Sequence, residues 1–126
     1  MTVQFLHTKL QVRDLERAIA FYQVAFGYEL RKRKPGPHDS SLAFLALPGD
    51  EVELQLAEYP GVEAVEVPAR LMHLAFRVSN LEGSLGRVQE AGGTIRTGPY
   101  ALPSGSRVAF VGDRDGYELE LIQKPD

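Results

Sequence analysis

Apolar and polar positions along the chain follow two rhythms, and the order of those rhythms occurs twice. His7-Thr8-Lys9-Leu10-Gln11-Val12 alternates with period two, which sets Leu10 and Val12 on one face and His7, Lys9 and Gln11 on the other. Asp14 then opens a helical pattern in which Leu15, Ala18, Ile19, Tyr22 and Phe26 form one apolar stripe, and Gly27 stops it. Further on, His73-Leu74-Ala75-Phe76-Arg77-Val78 alternates again, with Phe76 and Val78 opposite His73, Ala75 and Arg77. Ser79 or Asn80 opens a second helix striped by Leu81, Leu85 and Val88 and closed by Gly92-Gly93. Gly83 and Gly86 weaken that helix by about 1 kcal/mol each, so packing has to hold it.

A displacement of 66 positions carries His7 onto His73, Val12 onto Val78, Leu15 onto Leu81, Gly27 onto Gly93 and Phe44 onto Phe110. Three strands are expected after each helix. In the first copy they fall near Tyr28–Lys32, Ser41–Leu47 and Val52–Glu58, and in the second near Thr94–Thr97, Arg107–Val111 and Tyr117–Gln123. Turn residues separate them at Pro35-Gly36-Pro37, Pro48-Gly49-Asp50, Pro103-Ser104-Gly105 and Asp113-Arg114-Asp115-Gly116. The pattern predicts an α+β domain over 1–126 made of two βαβββ modules, about 1–59 and 70–126, with a linker over 60–69. Each module is expected to be a half-barrel with its helix outside, and the pair to enclose a cleft.

Composition adds little beyond exclusions. The 126 residues suffice for one compact core. A net charge of −3 disfavours nucleic acid and acidic membranes as partners. The absence of cysteine removes disulfides and thiolate metal sites. No signal peptide or membrane-spanning run is read, so a soluble cytoplasmic protein is expected.

The candidate chemistry lies on the cleft-facing positions. Leu119 and Leu121 suit the helix side of the last strand, which turns Glu118 and Glu120 to the cleft; Leu54 and Leu56 do the same for Glu53 and Gln55. The turn before this strand is one residue shorter relative to the repeat, so here the displacement is 65 and Gln55 pairs with Glu120. His7, Gln55, His73 and Glu120 are therefore expected to converge on one divalent cation such as Zn²⁺, Ni²⁺, Mn²⁺ or Fe²⁺. Glu53 is the alternative to Gln55, and Glu118 reads as a solvated edge residue. A lone strand histidine is ordinarily a satisfied polar residue, but two at repeat-equivalent places on one inferred face favour a shared metal. His38 lies in an expected exposed loop and receives no role. Arg31-Lys32-Arg33-Lys34 reads first as a solvated strand end, and second as a run that could meet the phosphates of a coenzyme A substrate.

Taken together, Leu6-His7-Thr8, Val12-Arg13-Asp14-Leu15-Glu16-Arg17, Phe21-Tyr22, Ser41-Leu42-Ala43-Phe44, His73 and Asp115-Gly116-Tyr117 running into Glu118-Leu119-Glu120-Leu121-Ile122 resemble the vicinal oxygen chelate superfamily, and within it the glyoxalase I (lactoylglutathione lyase) family. The resemblance covers nearly the whole chain. It implies the glyoxalase/bleomycin resistance/dihydroxybiphenyl dioxygenase fold, a homodimer whose sites can be shared between chains, and metal ligands at His7, His73 and Glu120. It also implies a small-molecule substrate, a glutathione adduct, with Glu120 as the base that moves a proton beside a chelated carbonyl. Gln55 stands where bacterial glyoxalase I carries glutamate, which makes the set similar also to methylmalonyl-CoA epimerase. Gln11 stands where that family has a glutathione-anchoring arginine, while Arg77 occupies the equivalent place in the other module. Lys9, Gln11 and Arg77 are thus the candidate substrate-binding residues. Fosfomycin transferases and antibiotic-sequestering binders of the bleomycin resistance type share the fold and remain alternatives.

Overall fold

A computed structural model describes all 126 residues. In chain order the elements are β1 (His7–Gln11), α1 (Leu15–Phe26), β2 (Glu29–Pro35), a 3₁₀ turn (Pro37–Asp39), β3 (Ser41–Ala46) and β4 (Glu53–Glu58), then β5 (His73–Arg77), α2 (Leu81–Glu90), β6 (Thr94–Ala101), β7 (Arg107–Gly112) and β8 (Glu118–Gln123). The expected doubling is present in full. One four-stranded sheet has the order β1-β4-β3-β2 and the other β5-β8-β7-β6. In each, the first strand runs parallel to the last and the remaining neighbours are antiparallel. No helix or strand occupies the stretch between β4 and β5. Neither helix is long and apolar enough to cross a membrane.

The helices form where the pattern predicts them. Asp14 caps α1 by accepting from the Arg17 amide, and Gly27 takes the left-handed conformation (φ 77°) that ends it. Asn80 caps α2 by accepting from the Gly83 amide. A second device is also duplicated: Glu58 at the end of β4 accepts from the Leu15 amide, and Gln123 at the end of β8 accepts from the Leu81 amide, both at 2.7 Å. Each last strand thereby satisfies an orphan donor at the start of its module's helix.

Two strands run longer than predicted. β2 continues to Pro35, which was read as a turn residue, and β6 runs past the expected end at Thr97, through Pro99 to Ala101. Both are edge strands, where a missing amide donor costs no ladder bond, and the pairing of each with its neighbour carries register shifts.

The helix-facing sides of both sheets and both helices share one core of 20 buried residues. Phe21 belongs to it although it lies off the predicted stripe of α1. The reason is that α1 packs on the sheet with one side and on α2 with another, so its buried arc is wider than a single stripe. Gly93 follows from the same crowding: a Cβ there would sit 2.7 Å from Val88 Cγ1 and 2.8 Å from Phe21 Cε1.

Across the module boundary, aromatic stacking and a polar lock join the halves. Phe26 stacks on Phe76 with ring centroids 4.5 Å apart and 14° between planes. The buried Tyr22 hydroxyl donates to Asp113 Oδ2 at 2.6 Å, while Asp113 Oδ1 accepts from the amides of Asp115 and Tyr117 at 2.9 Å. Asp115 Oδ1 in turn accepts from the Arg13 amide and Nε, at 3.0 and 3.2 Å. Tyr117 donates its hydroxyl to the Gln11 carbonyl at 2.8 Å. The turn Asp113–Gly116 of one module is therefore clamped to β1 and α1 of the other.

Burial pushes the Asp113 carboxyl above its ordinary value; the Tyr22 hydroxyl and the two amides pull the other way and recover only part of the cost. Removing the Tyr22 hydroxyl (Tyr22→Phe) is expected to cost about 1–2 kcal/mol, and Asp113→Ala, which orphans three donors, about 3 kcal/mol, read from urea midpoints at constant slope. Because the folded-state value is raised, the contribution of Asp113 is complete below the ordinary carboxylate range and is lost as pH rises through the raised value. Asp113→Asn is expected to flatten that segment of the stability–pH curve.

Candidate metal centre

Period-two alternation decides which side chains each sheet turns away from the core. On the first sheet, Leu10, Leu54, Leu56, Ala43 and Leu45 enter the core. The opposite, cupped face therefore presents His7, Lys9 and Gln11 from β1, Gln55 and Ala57 from β4, Leu42 and Phe44 from β3, and Lys32 and Lys34 from β2. On the second sheet, Leu119, Leu121, Ala109 and Val111 enter the core. Its cupped face presents His73, Ala75 and Arg77 from β5, Glu118 and Glu120 from β8, and Val108 and Phe110 from β7.

The two cups share strand register and ring contacts. The ring of His7 meets that of Phe44 edge-on at 5.8 Å and 85°, and the ring of His73 meets that of Phe110 at 5.8 Å and 80°. Gln55 registers with Phe44 as Glu120 registers with Phe110, while Glu53 registers with His7 as Glu118 does with His73. The backbone thus gives Gln55, not Glu53, the place equivalent to Glu120. Gln55 is buried on the floor of its cup.

In the second cup His73 Nε2 lies 3.1 Å from Glu120 Oε1, with the histidine half-exposed and the glutamate largely covered. This spacing suits two ligands of one cation: donors about 2.1 Å from a metal and at right angles lie roughly 3 Å apart. Imidazole nitrogen and carboxylate oxygen without thiolate is a donor set for a borderline or hard divalent ion. Glu118 faces Arg96, 3.9 Å from its Nη1; it lies on the interior strand β8 and is largely covered, so it is not the solvated edge residue expected.

One expectation fails within a single chain. His7, Gln55, His73 and Glu120 do not converge there; no three His, Cys, Asp or Glu side chains come together as a metal-holding group. The physical reason is the shared core. Both sheets spend their apolar faces on the same helix pair, so His7 and Gln55 stay with one cup and His73 and Glu120 with the other.

The candidate substrate residues divide likewise. Lys9 donates to the Tyr59 hydroxyl and lies 4.7 Å from the Tyr59 ring centroid. Tyr59 has no assigned role in the sequence reading, although its alternation with Gln55 and Ala57 places it on the same cup. The Gln11 side chain shares this face, and its carbonyl is taken by Tyr117. Arg77, exposed at the end of β5, has no carboxylate within ion-pair distance. His38 lies exposed in the 3₁₀ turn between β2 and β3, with positive φ.

Comparison with known proteins agrees with this architecture. Lactoylglutathione lyase of Salmonella typhimurium is 36% identical over 129 residues, covering 98% of this chain and 95% of that one. The crystal structure of glyoxalase I from Zea mays matches with a TM-score of 0.85 at 30% identity, over 98% of this chain and 45% of the maize chain, so this chain spans about half of the maize enzyme's length. An antibiotic binding protein from a Streptomyces species matches with a TM-score of 0.75 at 26% identity, over 98% of each chain. Residues 4–121 match the Glyoxalase/Bleomycin resistance protein/Dioxygenase superfamily, and with its paired βαβββ modules and duplicated cups the chain belongs to that superfamily.

Proposed function

We propose that the protein is a divalent-metal-dependent lactoylglutathione lyase, acting on the hemithioacetal of methylglyoxal and glutathione. The observation that carries the reading is the His73–Glu120 contact at 3.1 Å, set in a frame that the first module repeats around His7 and Gln55. Similarity to lactoylglutathione lyases over nearly the whole chain supports the reaction class.

His73 and Glu120 of one chain, with His7 and Gln55 from a second copy, would hold the cation, which makes the working form a homodimer with shared sites. The twofold length of the maize chain supports this arrangement, since one maize chain has room for two such units. When bound, the cation supplies Lewis acidity to the two neighbouring oxygens of the substrate. Glu120 then takes the proton from the carbon bearing sulfur and returns it to the adjacent carbonyl carbon. The hydroxyl proton moves between the two oxygens, so the hemithioacetal becomes the thioester of lactate with no external oxidant. Phe44, Leu42 and Phe110 give the cups apolar floors that keep water from the reacting carbons. Arg77, with Lys9 and Gln11, positions the carboxylates of the thiol carrier. With a net charge of −3 and this small-molecule chemistry, neither nucleic acid nor membrane is assigned as a partner, and the setting is the cytoplasm.

Gln55 in place of a carboxylate favours a second reading, an epimerase using the same proton removal with return to the opposite face. The likeness to an antibiotic binding protein favours a third, a binder without chemistry.

Elemental analysis of the purified dimer after addition of Ni²⁺ or Zn²⁺ is expected to find about one metal per site, with His73→Ala and His7→Ala each losing it at unchanged far-ultraviolet dichroism. Metal-free wild type would favour the binder. With methylglyoxal and glutathione, the loaded protein is expected to form thioester, and Glu120→Gln to lower kcat about 10²–10⁴-fold. A loaded wild type that forms none would contradict the lyase assignment.

A further inference from the structure

β8 offers His73 two carboxylates. Glu118 is the strand partner of His73 and Glu120 follows it on the same cupped face, yet the imidazole lies against Glu120, with Nε2 3.1 Å from Oε1. Both glutamates are largely covered, Glu118 with 24% and Glu120 with 19% of its side chain exposed. Arg96 is what separates them. Its Nη1 lies 3.9 Å from Glu118 Oε1 and its Nη2 donates to the Gly116 carbonyl at 2.9 Å. Glu120 has no basic side chain within 4.0 Å other than His73.

Two local features bring Arg96 to this place. The register of β6 on β7 shifts between Ile95 and Thr97, so Arg96 is the extra residue of a bulge and its side chain is re-aimed. It then passes over Gly112, the strand partner of Glu118, where a Cβ would lie 2.9 Å from Arg96 Nε and 3.0 Å from Nη2. The first module lacks both the path and the need for it. Its corresponding bulge, between Leu30 and Lys32, leaves Arg31 against Glu29 of the same strand at 3.3 Å, and Ala46 stands at the place of Gly112. Its counterpart of Glu120 is the neutral Gln55, so Glu53 has no rival carboxylate beside His7.

The Arg96–Glu118 pair is open to water on the arginine side and adds little to stability. Its consequence is for the neighbouring charges, because two carboxylates beside one imidazole compete for it and for any cation it holds. We propose that Arg96 is a positioning residue that draws Glu118 away from His73 and so leaves the imidazole to Glu120 alone. This rests on the metal-dependent reading of the cups and goes beyond it by stating how one of two adjacent carboxylates is selected. Without the guanidinium, Glu118 turns to its strand partner, and the cup presents His73 with both glutamates.

Two measurements test the selection. In the metal-free protein at one fixed pH, the ring nitrogen resonances of His73 report which carboxylate faces the imidazole. Glu120→Gln is expected to shift them and Glu118→Gln to leave them in place. In the Arg96→Gln background, Glu118→Gln is expected to shift them as well. Gly112→Ala, whose methyl takes the space of the Arg96 side chain, is expected to act like Arg96→Gln without removing a charge. In protein titrated with Co²⁺, the visible absorption of the bound ion is expected to change in Arg96→Gln and to return to the wild-type spectrum in Arg96→Gln/Glu118→Gln. If Glu118→Gln shifts the His73 ring equally with and without Arg96, or in neither case, the proposal is overturned. A Co²⁺ spectrum that the second substitution does not restore also overturns it. Wild type that takes up no Co²⁺ contradicts the metal reading instead, and the ring resonances still decide the role of Arg96.

Discussion

A four-stranded sheet covered by one helix has only one of its faces filled. In this chain both helices are packed against each other between two such sheets, and a single core of 20 residues takes up both apolar faces. The consequence is that the polar faces, with their histidines, glutamine and glutamate, are left as two separate cups. The clamp at Asp113 and Asp115, reaching back to Tyr22 and Arg13, holds the halves in that relation. Everything proposed about the chemistry follows from this division of faces: His7 and Gln55 stand on one cup of the chain, His73 and Glu120 on the other.

Much of this was legible in the chain itself. Alternation over His7–Val12 and His73–Val78 placed the histidines opposite the core, and the register of β4 on β3 agrees with the repeat in matching Gln55 to Glu120. Period two decides the face of a residue but not the direction in which the whole face is aimed. That is why the four donors were expected together and are found in pairs. The lock at Asp113 was hidden for a different reason: its residues read as an ordinary turn, and their partners lie some hundred positions earlier. Phe21 was missed because a one-stripe helix wheel does not anticipate a helix with two neighbours.

The basic run at Arg31–Lys34 shows the same limit from the other side. Read as a run, it is a solvated strand end. Read with the strand's alternation and its neighbours, half of it is neutralised outside the cup and half stands unpaired inside. Four strands of one module thus present His7, Gln55 and the unpaired Lys32 and Lys34 on one cupped face, while the other module presents the His73–Glu120 pair and Arg77. At equivalent places the two cups differ, Gln55 against Glu120 and Gln11 against Arg77, so one scaffold presents two unlike sets of donors.

The most direct measurement of this account is subunit complementation. His7→Ala and Glu120→Gln chains, each inactive as homodimers, are unfolded together, refolded as a mixture and assayed for thioester formation. If each site takes its first-module donors from one copy and its second-module donors from the other, a mixed dimer carries one doubly altered site and one intact site, and activity returns toward half of wild type per mixed dimer. If a single chain builds its own site, every site in the mixture keeps one lesion, and the mixture stays as inactive as its parents.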